Sequence, residues 1–167
     1  SQEQWFKSSP PILLWSNQTL SEAYSHKIAQ KNIKQKKQTV LVFPYRNQVN
    51  QWLKKCPARI KKQVILYDGA LLPKKRFDAW MRIKNNPQAV VVGEHLTLFS
   101  PVDYLGDIIL FDEHEQAHKQ WDMAPRYHNR DLAILITRLS GAQLTLASFS
   151  PSIESLYAAK THSYTLK

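Results

Sequence analysis

Short apolar runs alternate with longer amphipathic segments along this chain of 167 residues. The runs are four or five residues long and rich in Val, Ile and Leu, which is typical of strands buried inside a parallel sheet. With helical patterns between them, they predict a three-layer α/β domain with a mainly parallel sheet. The six predicted strands are Ile12 to Trp15, Thr39 to Phe43, Gln63 to Tyr67, Ala89 to Val92, Asp107 to Phe111 and Gln143 to Ala147.

Helical periodicity fills the intervals between these strands. In the segment from Lys74 to Lys84, the spacing predicts that Phe77, Trp80 and Met81 share the face that packs on the sheet. Pro73 and Pro151 are predicted to mark helix starts, where a missing N–H is tolerated. The other predicted helices are Leu20 to Lys34, Asn47 to Lys55 and Arg130 to Leu139.

Length and composition indicate one domain, with residues 1–11 expected to be partly disordered. The single Cys56 excludes an intrachain disulfide and suits a reducing cytoplasm, where we expect the protein to lie. No apolar run approaches the roughly 18 residues of a membrane span, so no membrane contact is expected.

Positive charge is concentrated in the first part of the chain. The net charge is +10, and residues 1–100 hold 17 Lys and Arg against 5 Asp and Glu. Such an excess is what binding to a phosphate backbone requires. A solvated lysine-rich surface is the alternative interpretation of the same pattern.

The most specific sequence motifs lie between Leu105 and Ser155. A buried strand leads into the acidic cluster Asp112-Glu113-His114, followed by PRYHNRDLA from Pro125 and SFSPSIES from Ser148. This stretch resembles the first motor lobe of the primosomal replication-restart helicase family (primosomal protein N′, PriA), which carries LGLIIVDEEH, PRYHARDLA and GSATPSLES. The family's VVVGTRSALFxP is similarly matched from Val90 to Pro101.

The resemblance implies a RecA-like P-loop NTPase helicase lobe over residues 1–167. From the length we expect no second motor lobe, and from the single Cys56 we expect no cysteine-rich zinc-binding insertion of the kind the family has. The family is a DNA-dependent ATPase that uses ATP and magnesium. Here the phosphate-loop pattern GxxxxGK[ST] falls on Leu14 to Ser21, which contains no glycine. Thr19 and Leu20 replace the second glycine and the lysine, and Ser21 keeps the hydroxyl. We therefore expect neither cofactor to bind.

The acidic motif matches the family in two registers. The ungapped match places Phe111 at the metal-binding Asp and Asp112 at the catalytic Glu, followed by Glu113 and His114. The second register keeps Asp112 and Glu113 in the two catalytic places but needs one extra residue inside the strand. We favour the ungapped match, since loops absorb insertions more easily than buried strands; Asp112 and Glu113 are then an impaired catalytic pair.

The resemblance also implies a loop that couples single-stranded DNA to the nucleotide site, and a coupling motif at Ser148 and Ser150. Aromatic loop residues can stack on bases, but they can equally pack the loop onto the domain. Three histidines lie near the acidic cluster without a recognised zinc spacing, so no metal site is expected. The candidate DNA-binding residues are Lys119, Trp121, Arg126, Tyr127, His128 and Arg130.

Three functions are compatible with these observations. The favoured hypothesis is a degenerate motor lobe that does not hydrolyse ATP and keeps weak, sequence-independent binding to DNA, with other replication or primosome proteins as further partners. A working ATPase lobe with a rebuilt phosphate loop is the second hypothesis. The third is a protein-interaction module on a helicase scaffold, without a nucleic-acid role.

Overall fold

The computed structural model describes residues 9–120 and 126–167. Its strands are β1 (Ile12–Trp15), β2 (Gln38–Val42), β3 (Val64–Leu66), β4 (Val90–Gly93), β5 (Leu105–Phe111), β6 (Lys119–Gln120), β7 (Tyr127–His128), β8 (Gln143–Ser148) and β9 (Thr165–Leu166). Its α-helices are α1 (Gln18–Lys34), α2 (Arg46–Lys55), α3 (Ala58–Lys61), α4 (Pro73–Lys84), α5 (Asn129–Ser140) and α6 (Ile153–Lys160). Short 3-10 helices cover His95–Phe99 and Gln116–His118.

Seven strands form one sheet in the order β3-β4-β2-β5-β8-β1-β9, and every neighbouring pair is parallel. Strands β6 and β7 form a separate antiparallel pair. All six predicted strands are present, with ends displaced by at most two residues. The α/β prediction with a mainly parallel sheet is therefore confirmed.

The sheet is covered on both faces, which gives the three layers. Alternate residues of β2 point to opposite sides: Val40 and Val42 join the core under α4, α5 and α6, whereas Leu41 joins the core under α1, α2 and α3. Trp52 of α2 is fully buried in the second core. Burial on both faces explains why the strands are almost continuously apolar.

Helix α1 packs on the sheet through polar groups. The Ser25 hydroxyl accepts a hydrogen bond of 2.8 Å from the Trp52 indole. The Asn32 amide donates to Thr39 and to Asp107, each at 2.9 Å. These partners make burial of the polar side chains tolerable and fix α1 against β2 and β5.

The predicted inner face of α4 is wrong. Phe77, Trp80 and Met81 are 62%, 36% and 40% exposed, while Ala79 and Ile83 pack into the core. Both sets of residues have helical spacing, so periodicity alone does not show which set faces the sheet. The small Ala79 side chain allows close approach of the helix to the sheet, which leaves the larger side chains outside.

At the N-terminus, residues 1–8 of the segment expected to be disordered lie outside the described residues. The carbonyl groups of Pro10 and Pro11 accept hydrogen bonds from Gln143 and Thr165. In the described ranges, no helix is long and apolar enough to cross a membrane.

Candidate functional site

The connection between β1 and α1 consists of only two residues, Ser16 and Asn17. Asn17 caps the helix: its side-chain oxygen accepts the Leu20 N–H at 2.9 Å, and its carbonyl accepts the Ser21 N–H at 3.0 Å. The Ser16 N–H donates to the Ser148 carbonyl at 3.1 Å. No residue of this fully described connection has a positive φ. Three N–H groups of the segment are thus engaged within the chain.

The Ser21 hydroxyl also has a partner inside the protein. It lies 2.8 Å from the Ser16 hydroxyl, and Ser21 is 3% exposed. Thr19, at the place of the second glycine, points to solvent. One turn further, buried Glu22 forms a 2.8 Å ion pair with Lys55. The start of α1 is therefore capped, and the N–H and hydroxyl groups described above have hydrogen-bond partners within the protein.

A cleft of about 300 Å³ opens between this helix start and the ends of β5 and β8. Phe111 forms part of its wall and stacks on Phe43 with ring centres 4.2 Å apart. Phe149, which is 74% exposed, lies at the cleft, and its carbonyl accepts the Trp15 indole N–H at 2.9 Å. The remaining lining residues are Ser16, Asn17, Gln18, Ser21, Asp112 and Ala147.

Asp112 follows the last residue of β5 and turns the chain. Strand β5 pairs residue by residue with β8 as far as Phe111 and Ala147. Asp112 has a φ of 48°, its N–H donates to the Ala147 carbonyl at 2.8 Å, and its carboxylate accepts from the Gln48 amide at 3.1 Å. Burial raises the pKa of the Asp112 carboxyl, which the Gln48 hydrogen bond opposes. At the strand tip itself stands the apolar Phe111.

Glu113 is fully buried and holds two later segments together. Its carboxylate accepts the Ser152 N–H at 2.7 Å and lies 3.4 Å from the Arg130 guanidinium. Arg130 also donates to the Ser152 hydroxyl at 3.1 Å. A buried carboxylate needs such a counter-charge and hydrogen-bond donors. We refer to Glu113, Arg130 and Ser152 as the Glu113 network.

His114 joins the acidic cluster to the Ser-rich turn. Its Nδ1 lies 3.1 Å from the Ser148 hydroxyl, which also accepts the Ser150 N–H at 3.2 Å. The structure therefore brings the acidic cluster, the coupling motif and the start of α5 together. The pairing of Glu113 with Arg130 is not predictable from the sequence, because a salt bridge across 17 residues leaves no periodic signal.

Two further histidines are structural. His118 is fully buried, donates from Nε2 to the Phe111 carbonyl at 2.8 Å, and accepts from the Asn129 amide at 2.9 Å. Burial lowers the pKa of His118 to about 4. The ring of His128 caps α5 by accepting the Arg130 N–H at 3.0 Å. Within the described ranges, no group of three His, Cys, Asp or Glu could hold a metal ion.

The predicted DNA loop is described in part. Lys119 and Arg126 are exposed. Tyr127 is partly buried and meets Phe99 edge-on, with ring centres 5.7 Å apart. Trp121 lies outside the described residues. Tyr127 and His128 thus have packing partners within the domain, as the alternative interpretation of the loop allowed.

The helices on one face of the sheet are strongly basic. From residue 18 to residue 62, covering α1, α2 and α3, the chain has 11 Lys and Arg but one carboxylate, Glu22. Lys55 neutralises Glu22, and Lys31 pairs with Asp107 of β5. We call this surface the basic layer. Its other exposed cations are Lys27, Lys34, Lys36, Lys37, Lys54, Arg59, Lys61 and Lys62.

No protein-family model matches the chain. It is 32% identical over 134 residues to the replication restart protein PriA of Chlamydia pneumoniae, covering 80% of this chain and 18% of that protein. For PriA of Bacillus subtilis the identity is 30%, over 78% of this chain and 16% of the relative. For PriA of Rickettsia prowazekii it is 31%, over 87% and 22%. The chain therefore spans about a fifth of the length of these relatives.

Solved structures support the same fold at low sequence identity. A C-terminal domain of Saccharomyces cerevisiae Dbp5, bound to Gle1 and IP6, superposes with a TM-score of 0.59 at 13% identity, covering 96% of this chain and 89% of that domain. The DUF1998 helicase MrfA bound to DNA gives a TM-score of 0.56 at 16% identity, covering 86% of this chain and 20% of the helicase. With the matches to replication restart proteins, these similarities show that the chain is a PriA-like region with a helicase-type α/β fold.

Proposed function

We propose that this PriA-like region is a degenerate helicase-motor lobe that does not bind nucleotide and retains weak, sequence-independent binding to DNA. The observation that carries the first half of the proposal is the two-residue connection between β1 and α1. The basic layer carries the second half.

ATP and magnesium do not fit this connection. A phosphate loop presents successive free N–H groups to the anion, with glycines allowing the chain to wrap around it. Here the Leu20 and Ser21 N–H groups bond to Asn17, and the Ser21 hydroxyl bonds to Ser16. Leu20 supplies no charge at the place of the family's lysine. A phosphate would have to displace several internal hydrogen bonds without gaining a cation.

The acidic motif supports the same conclusion in the ungapped register. Phe111 then occupies the metal-binding place and Asp112 the place of the catalytic Glu. The pairing of β5 with β8 is unbroken from Asp107 to Phe111, which supports this register. The one-residue shift of β5 lies at its start, where Gly106 is extra in the pairing with β2. The stacked Phe111 ring has no oxygen to offer a magnesium ion.

Isothermal titration of the purified protein with magnesium and ATP tests the nucleotide proposal. We expect no binding at millimolar nucleotide and no DNA-stimulated hydrolysis. A dissociation constant in the low micromolar range would overturn the proposal and favour the rebuilt phosphate loop.

DNA binding is tested by anisotropy with labelled single-stranded and duplex oligonucleotides between about 50 and 200 mM salt, the range over which counterion release acts strongly. We expect micromolar or weaker affinity that falls steeply with salt. Replacing Lys34, Lys36 and Lys37 together by Glu should weaken both DNA forms and flatten the salt slope, by about 0.9 for each phosphate that is no longer neutralised.

The matched control replaces three cations outside the basic layer, Arg138, Lys160 and Lys167, by Glu. It changes the net charge equally but leaves the proposed surface intact. Equal weakening by both triple variants would show that net charge alone attracts DNA. Absence of DNA retention by the wild type at the lowest salt would refute the DNA-binding half of the proposal and favour an interaction module.

A further inference from the structure

We propose that the outer face of α4 is a site for single-stranded nucleic acid, where an unpaired base stacks on Phe77 and Trp80 while neighbouring cations hold the phosphates. This inference rests on the proposed function, since it requires that the region contacts DNA. It assigns base contact to a helix face that periodicity had predicted to be turned inward.

An aromatic groove lies on this face. It has a volume of about 290 Å³ and is lined by Tyr67, Pro73, Arg76, Phe77 and Trp80. Phe77 is 62% exposed, and Trp80 lies one helical turn further along. Helix α4 is anchored by other residues, Ala79 and Ile83, so the two outer rings contribute little to the core. A recess with exposed ring faces can accept a planar base.

One cation, Arg76, lines the groove, and Lys74 and Lys75 precede it in the first turn of α4. Lys74, Lys75, Arg76 and Arg82 lie on the same helix, and in the described part of the chain no carboxylate is within 4.0 Å of their charged nitrogens. By contrast, Lys84 at the end of the helix pairs with Asp103 at 2.7 Å. The one acidic residue of α4 is Asp78. The surface therefore has a positive excess beside its aromatic rings.

This combination favours a single strand over the other polyanions. Duplex DNA would satisfy the cations, but its bases are already stacked and cannot enter the groove. An acidic peptide with apolar anchors is the competing occupant. Single strands alternate phosphate and planar base along the backbone, which matches cations in the first turn of α4 followed by aromatic rings in the next.

The test measures binding of an oligothymidylate, a duplex of equal length and an abasic strand, each by anisotropy. Phe77→Ala should weaken the oligothymidylate by roughly tenfold, since stacking of one base is commonly worth that much. Duplex and abasic strand should bind to this variant as to the wild type. Tyr157→Ala is the matched control, because Tyr157 is also an aromatic residue on a helix and is 67% exposed.

Trp80→Leu gives a second readout. Oligothymidylate should quench the tryptophan fluorescence of the wild type, and the extent of this quenching should be smaller in the variant. Should Trp80→Leu fail to fold, Phe77→Ala alone decides, because its side chain is more exposed. Unchanged oligothymidylate binding by Phe77→Ala overturns the inference. If Lys34→Glu/Lys36→Glu/Lys37→Glu still weakens DNA, the proposed function stands without it.

Two further outcomes are decisive. Binding of an acidic peptide that Phe77→Ala abolishes, with single-strand binding unaffected, would identify the groove as a peptide site and overturn the inference. If wild-type protein retains no DNA of any form, the DNA-binding proposal and this inference both fail.

Discussion

The β1–α1 connection and the Glu113 network lie at the same end of the sheet but differ in what their change would cost. The connection is half exposed, and its side chains bond to neighbours a few residues away, while the Ser16 backbone N–H bonds to Ser148. The Glu113 network buries a carboxylate completely. The partners of this carboxylate, Arg130 and Ser152, lie 17 and 39 residues further along the chain. We therefore expect the β1–α1 connection to tolerate substitutions without loss of folding, whereas the Glu113 network should not.

On the proposed function, this difference offers a physical reason why the family's residues are retained in the Glu113 network but not in the β1–α1 connection. Leu20 stands, on the proposed function, at the place of the family's phosphate-binding lysine, and a change at this exposed position leaves no buried group unpaired. Replacing Arg130 would leave Glu113 charged in the interior, which is strongly destabilising. On the proposed function, Arg130 is therefore kept by folding stability even where hydrolysis is no longer needed.

The largest expected effect comes from breaking the network. Arg130→Met should lower the free energy of unfolding by about 3 kcal/mol, because Glu113 loses its counter-charge while remaining buried. Urea denaturation measures the change, and Arg138→Met, at an exposed position of the same helix, should change it by less than about 0.5 kcal/mol.

Adding Glu113→Gln to Arg130→Met should recover part of the stability, since a neutral amide needs no counter-charge. If Arg130→Met is as stable as Arg138→Met, the two regions do not differ in the way described.

A second effect of similar or smaller size depends on pH. Because the pKa of His118 is lowered to about 4, the unfolded chain binds a proton between pH 6.5 and about 4 that the folded protein excludes. Stability should fall over this window as pH decreases, by roughly 3 kcal/mol from this residue. Burial raises the pKa of Asp112, which gives the opposite slope, so the wild type must be compared with a variant.

The comparison is with His118→Gln, measured by urea denaturation at several pH values. The difference in unfolding free energy between wild type and variant should change across pH 6.5 to 4 and level off at neutral pH. A difference independent of pH across this window would show that the pKa of His118 is the same in the folded and the unfolded protein.

The smallest expected effect concerns the connection. Leu20→Lys should change the unfolding free energy by less than about 0.5 kcal/mol, because Leu20 is 59% exposed. This substitution should not create nucleotide binding, since the connection between β1 and α1 still consists of two residues. Adding glycines as well should recover binding at most, without turnover, because Phe111 still occupies the metal-binding place in the ungapped register. Turnover by such a variant would refute that register.

Sequence patterns predicted the sheet well because its strands are buried on both faces and therefore almost continuously apolar. They failed at α4, where two stripes compete and only contact with the sheet selects Ala79 and Ile83. The short β9 has exposed residues and no apolar run to reveal it. In the site, the motifs located Glu113 and Ser148, but the two-residue connection was missed. Asn17 carried a usable signal, since Asn is a preferred helix cap.

The seven-stranded sheet ends in two very short strands, β3 with three residues and β9 with two, whereas the central β5 has seven. An exposed strand edge is a template on which other chains can pair and aggregate. At the β3 edge only three residues offer unpaired N–H and C=O groups, and Lys62 adds positive charge shortly before the strand. Purified at high concentration, this region should resist aggregation through its β3 edge.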